Sequence, residues 1–183
     1  AKFSGKSLTW FDEERKEHVV PFVIEPSAGV DRALLAFMLD AYREEQVRGE
    51  KRVMLRLHPE LAPIKVAVLP LLKKRADIVA TCEGLRSRLA RRWATLYDDT
   101  AAIGRLYRRQ DEVGTPFCIT VDVKTVGDSE RGETADGKIT IRERDSMEQI
   151  RVPLAEVETV LGRLLDGGAT WTDVAAGYPR TES

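Results

Sequence analysis

The residues best suited to chemistry stand in two short stretches of the 183-residue sequence. In EPSAGVDR, Glu25 and Ser27 place a carboxylate and a hydroxyl beside a small-residue turn that permits close backbone approach, and Arg32 follows where a helix can begin. Such a corner can hold an ammonium group and a phosphate. The same string also reads as an ordinary strand–turn–helix connection with Asp31 as its cap. Further along, Arg105, Arg108 and Arg109 fall at i, i+3 and i+4 of one expected helix. They form a ridge that either draws a phosphate backbone or is simply solvated. His18 and His58 lack neighbours at metal-ligand spacing and read as surface histidines, while Cys82 and Cys118 offer neither a disulfide framework nor zinc spacing. No Ser-His-Asp or Cys-His arrangement can be defended, and GxGxxG and GxxxxGK[ST] are absent.

The elements that must position these residues follow from periodicity. The β-branched run from His18 to Glu25 reads as a strand, PSAG as a turn, and the residues from Asp31 as a helix with Leu34, Leu35, Met38 and Tyr42 on its apolar stripe, ended by Glu44, Glu45, Arg48 and Gly49. The charged stretch 51–63 is expected to be a linker. Beyond it, Ile64 to Leu71 is almost wholly apolar, as in a strand covered on both faces, and Asp77 opens a helix carrying Ile78, Val79, Cys82, Leu85 and Leu89. Trp93 to Tyr97 reads as a strand, 101–112 as a helix, Thr115 to Asp122 as a strand, and Lys138 to Arg142 as a half-exposed strand antiparallel to it across the loop GDSERGETADG. Pro153 is expected to start a last amphipathic helix with Leu154, Val157, Val160, Leu161 and Leu164 inward. The expected fold is α/β: a mixed five-stranded sheet flanked by helices over 64–165, preceded by a strand–helix remnant over 1–50 and followed by a tail over 166–183.

Composition supports a folded chain, with 43% hydrophobic and 32% charged residues. No apolar run approaches the roughly 18 residues that cross a bilayer, and the N-terminal stretch has no apolar core for a signal peptide, so a cytoplasmic protein without membrane contact is expected. The net charge of -1 disfavours a nucleic-acid binder recognised by bulk basicity. It also hides an asymmetry: between Lys73 and Arg109 ten Lys/Arg face four acids, a surplus of six cations that the rest of the chain offsets.

Five strings together resemble the α2-type glycyl-tRNA synthetases, class II enzymes: SGKSLTWFDEE, VVPFVIEPSAGVDRALLAF, LAPIKVAVLPL, YRRQDEVGTPFCITVD and ITIRERDSMEQIR, in family order. The resemblance implies that 1–50 is the end of a class II catalytic domain carrying its third signature motif, with Arg32 at the position that holds ATP and Glu25 and Ser27 at positions that receive glycine. It implies that the rest is an anticodon-binding domain of mixed sheet and helices. The first two class II motifs have no counterpart here, so the chain alone is expected not to activate glycine and to have no catalytic residue of its own. The full-length enzyme would be a homodimer using glycine, ATP and Mg²⁺ and would charge tRNA(Gly). An accessory protein that clamps nucleic acid with the same fold is the alternative, which the intact EPSAGVDR string disfavours.

For the anticodon arm, recognition of single-stranded bases needs stacking platforms and exposed donors. The expected tRNA-binding residues are Arg105, Arg108, Arg109 and Asp111 on the second helix of the domain, and Arg142 and Arg144 on its exposed strand. Tyr107 and Phe117 could stack, but their faces are expected to be core.

Overall fold

The computed structural model describes residues 2–181; residues 1, 182 and 183, the last two belonging to the expected tail, lie outside it. The chain divides into two compact units, residues 1–34 and 35–183.

In the first unit a short antiparallel hairpin pairs β1 (Trp10–Asp12) with β2 (Glu17–Val19), and Phe11 meets His18 edge to face at 5.2 Å. The strand expected over His18 to Glu25 stops at Val19. The reason is local: Pro21 and Pro26 have no N–H to donate, and among the described residues no strand lies alongside. Residues 20–29 have no regular structure, and Phe22, Val23 and Ile24 are exposed. Helix α1 (Val30–Ala41) opens with Asp31 in its first turn, where a carboxylate suits the helix dipole.

In the second unit the helix gives way at Tyr42 to a hairpin, β3 (Tyr42–Val47) with β4 (Glu50–Leu55), where the sequence had suggested continued helix and linker. Arg48 and Gly49 both have positive φ, 52° and 81°, the requirement of a tight two-residue hairpin turn. The main sheet is mixed and six-stranded, in the order β10-β9-β8-β7-β5-β6. Its parallel part is β5 (Val66–Pro70) between β6 (Thr95–Tyr97) and β7 (Phe117–Val121), joined by the crossover helices α2 (Ala76–Leu89) and α3 (Ile103–Val113). After the one-turn α4 (Val123–Val126), β8 (Lys138–Glu143) returns antiparallel to β7, as the turn-rich loop suggested. The five-strand expectation is corrected by β9 (Gln149–Pro153) and β10 (Arg180–Thr181). Pro153 closes β9, and the helix follows later as α5 (Val157–Leu165). The stretch after Leu165 forms α6 (Trp171–Ala175), capped by Thr170 and Asp173, with Val174 and Ala175 buried.

Cross-strand partners project to the same face, so the register defines two faces. One carries Val66, Val68, Phe117, Ile119, Val121, Ile139, Ile141, Ile150 and Val152, and packs in one core with Ile78, Leu85 and Leu89 of α2, Val157, Val160 and Leu161 of α5, and Val174 of α6. The other carries Ala67, Leu69 and Cys118 beneath Leu106 of α3, then turns polar across β8 and β9.

Candidate nucleic-acid interface

Helix α3 positions the polar face. Ile103, Leu106, Tyr107, Gln110 and Asp111 recur at helical spacing on its inner stripe, which places an acid among apolar neighbours. Gly114 ends the helix in the left-handed conformation, φ 86°, and a Cβ there would lie 2.9 Å from the Leu55 carbonyl of β4. The same glycine thus stops α3 and lets the β3–β4 hairpin approach it.

Asp111 is 1% exposed, and its carboxylate accepts from two guanidinium groups. Arg142 donates from Nη1 to Oδ1 at 2.9 Å and from Nη2 to Oδ2 at 3.1 Å, while Arg52 of β4 donates from Nε to Oδ2 at 2.8 Å. Arg52 also bonds Glu45 and the Arg144 carbonyl. Burial works against the Arg52 charge, but its bonds to Asp111 and Glu45 outweigh that and raise its pKa. The Arg142 guanidinium lies over the Tyr107 ring, 4.8 Å from its centroid, and the Tyr107 hydroxyl shares a 2.6 Å hydrogen bond with Thr120. Burial pushes the Tyr107 phenol up to about 12, so it keeps its proton at neutral pH.

These groups border a cleft of about 430 Å³ whose walls include Val47, Arg48 and Glu50 of the hairpin, Ile103, Tyr107 and Arg108 of α3, and Arg142, Met147 and Gln149 of the β8–β9 pair. Beside it on the same face, Arg151 bonds Asp122 at 2.6 and 3.0 Å and Asp136 at 2.9 and 3.1 Å. Those bonds, Asp122 first, raise the Arg151 pKa.

The expected arginine ridge divides. Arg105 is exposed and makes no side-chain hydrogen bond or ion pair among the described residues. Arg108 holds the hairpin through the Lys51 carbonyl and Glu50, each at 2.9 Å, and Arg109 binds Asp98 at 3.2 Å and Thr100 at 2.6 Å. The expectation that Arg142 and Arg144 stand on an exposed strand is corrected: they are 5% and 3% exposed. Strand β8 is central, and α3 and the hairpin cover the end that bears both residues. Arg144 donates to the carbonyls of Gly114 at 2.8 Å and Leu57 at 2.9 Å, which ties the turn after β8 to the rest of the domain. Phe117 is core, as expected, stacked at 6.2 Å on Trp171.

In the first unit Glu25, Ser27 and Arg32 are exposed, and no hydrogen bond among the described residues joins them. His58 accepts from the Glu60 amide through Nδ1 at 3.3 Å, a turn contact. Burial pushes the Cys82 and Cys118 thiols up to about 12, which leaves both unreactive. Arg52, Gln149 and Arg151 escaped the sequence reading. The signal for Arg52 was its spacing, two residues before the buried Met54 and on the same face of β4.

Residues 65–164, which hold the whole sheet except its last strand together with α2, α3 and most of α5, match the family described as anticodon binding domain. The chain belongs to the anticodon-binding domain family. Its relatives include proteins named glycine–tRNA ligase from Thermobifida fusca (strain YX) and Streptomyces coelicolor, each 48% identical over 172 residues, 91% of this chain and 35% of the relative. Another of that name, from Caldanaerobacter subterraneus subsp. tengcongensis, is 49% identical over 158 residues, 86% of this chain and 32% of the relative. The chain therefore spans about a third of the length of these curated relatives. Arg52 and the hairpin lie outside the matched span of the anticodon-binding domain, yet their hydrogen bonds reach into it. Among the described residues no helix is long and apolar enough to cross a membrane.

Proposed function

We propose that this chain is the C-terminal portion of a glycine–tRNA ligase of the α2 type, and that its polar sheet face receives the anticodon arm of tRNA(Gly). In this reading 1–50 is the end of the class II catalytic domain, 51–63 joins it to the anticodon-binding domain, and the full-length cytoplasmic homodimer uses glycine and ATP with Mg²⁺ to charge the tRNA. Glu25 and Ser27 would face the glycine ammonium group and Arg32 the ATP. The exposed Phe22, Val23 and Ile24 suit a strand whose neighbours belong to the remainder of such an enzyme.

The observation that carries the anticodon reading is the Tyr107–Arg142 cleft on the one sheet face that is polar. Asp111 occupies the two terminal nitrogens of Arg142, and Nε makes no hydrogen bond among the described residues. The Nε side of the guanidinium is thus left for a base edge with two adjacent acceptors, the arrangement a planar fork reads best. Arg105 and Arg108 at the rim would meet phosphates, with Arg109 further out on the same helix, while Arg144 acts by holding the turn. A salt titration of binding to a tRNA(Gly) anticodon stem-loop tests this. We expect log K to fall linearly with log salt, and a flat line would sink the reading. For the whole protein, glycine-dependent ATP–pyrophosphate exchange is expected, and its absence would defeat the ligase assignment.

A further inference from the structure

We infer that Arg52 is a positioning residue for base discrimination: through Asp111 it aims the Arg142 guanidinium at the cleft. The inference rests on the anticodon reading above and adds to it a residue outside the matched domain. Arg52 is 1% exposed and spends its donors on three different elements. Nε goes to Asp111 on α3, one terminal nitrogen to Glu45 on β3, and the other to the Arg144 carbonyl just beyond β8. Asp111 therefore has its carboxylate plane set from one side by Arg52 and delivers both oxygens to Arg142 on the other. A carboxylate held by Arg142 alone could swing about its side-chain torsions and take the guanidinium with it. Held by both, it fixes the plane of Arg142 over Tyr107 and leaves the Nε side of the group as its unused edge.

The same contacts set the cleft's width. Arg52 stands on the hairpin whose residues Val47, Arg48 and Glu50 form one wall, while Asp111 and Arg142 belong to the opposite walls. A lysine at 52 would keep the charge but present one point donor in place of a planar fork reaching three acceptors, so it separates geometry from charge.

The test joins nuclear magnetic resonance with binding, on the 183-residue chain. Without RNA, rotation about the Nε–Cζ bond of Arg142 is expected to be slow in the wild type and faster in Arg52→Lys. With RNA, the ratio of affinities for the native anticodon stem-loop and for one with a single anticodon base exchanged is expected to fall about tenfold in Arg52→Lys, while the salt slope stays at its wild-type value. A merely structural role would lower the melting temperature and both affinities alike and leave their ratio untouched. Glu45→Gln, at the half-exposed outer end of the network, is expected to give the same changes at about twofold, and it serves if Arg52→Lys does not fold. Free rotation of Arg142 in the wild type overturns the proposal without any variant, as do wild-type rotation and discrimination in a folded variant. If the wild-type chain binds no stem-loop, the anticodon reading fails, and the rotation rates, measured without RNA, still decide whether Arg52 holds Arg142.

Discussion

The two faces of the six-stranded sheet are made from the same strands and put to opposite uses. On β8, Ile139 and Ile141 point into the core under α2, α5 and α6, while Thr140 and Arg142, one residue along in each case, point to the other side. The apolar face is interchangeable in kind: any well-packed set of branched side chains of the right volume would serve. The polar face is not. Its Arg142, Arg151, Asp111 and Asp122 are satisfied by particular partners at particular distances, and losing one leaves the others charged and buried. Both faces therefore contribute to stability, one by packing and the other by paired charges, and in the proposed reading only the polar face also recognises RNA.

Substitutions can separate the two. Ile141→Ala, a deletion in the closed core, is expected to cost about 2–5 kcal/mol in urea unfolding and to leave stem-loop affinity unchanged wherever the variant is folded. Arg142→Ala is expected to weaken the stem-loop by about 1–3 kcal/mol wherever the variant is folded, and to cost stability as well, because the buried Asp111 then keeps only Arg52 as a partner. If Ile141→Ala altered base preference, or Arg142→Ala left affinity intact, the division between the faces would be wrong.

Acid separates them less strongly. Burial works to raise the Asp122 and Asp136 carboxyls, but bonds and charge from Arg151 outweigh it and hold both below the usual carboxylate range. A depressed folded pKa stabilises above the unfolded value, about 3.9, and that contribution is lost as pH falls through the lower folded value. The urea midpoint of the wild type should exceed that of Arg151→Met near neutrality, and the gap should narrow below about pH 4. A gap independent of pH would mean that Arg151 contributes packing alone. The smallest effect belongs to Arg105→Ala, expected to reduce the salt slope of RNA binding by about one phosphate equivalent with no change in base preference.

How much of this was legible in the sequence follows the same division. The runs Ile64 to Leu71 and Thr115 to Asp122 announced buried strands because both of their faces are covered, and the stripes of α2, α3 and α5 announced the layers over them. Alternation along Lys138 to Arg142 told which residues share a face, but not that α3 and a hairpin would cover the end with Arg142. The hairpin itself was hidden because Tyr42 to Gln46 continues a helix-compatible pattern and Gly49 reads equally as a helix stop or half of a tight turn. Asp111 was expected to bind tRNA beside the arginines of α3, whereas it is buried and paired with Arg52 and Arg142. Its place on the inner stripe, beside Leu106 and Tyr107, was the overlooked sign that it must be paired inside the protein.

The order of strands across the sheet also bears on how the chain is made. From β7 onward each strand, β8, β9 and then β10, is laid beside the one synthesised just before it, so the sheet can lengthen at a single growing edge as the polypeptide leaves the ribosome. The long-range step comes earlier, when β7 must find β5 across two helices and a strand. Once that parallel pair has formed, each connection left to close is shorter than the one from β5 to β7 and costs less entropy. Among the described strands, the pairing of Arg180 and Thr181 with Ile150 and Gln149 is then the last to be added.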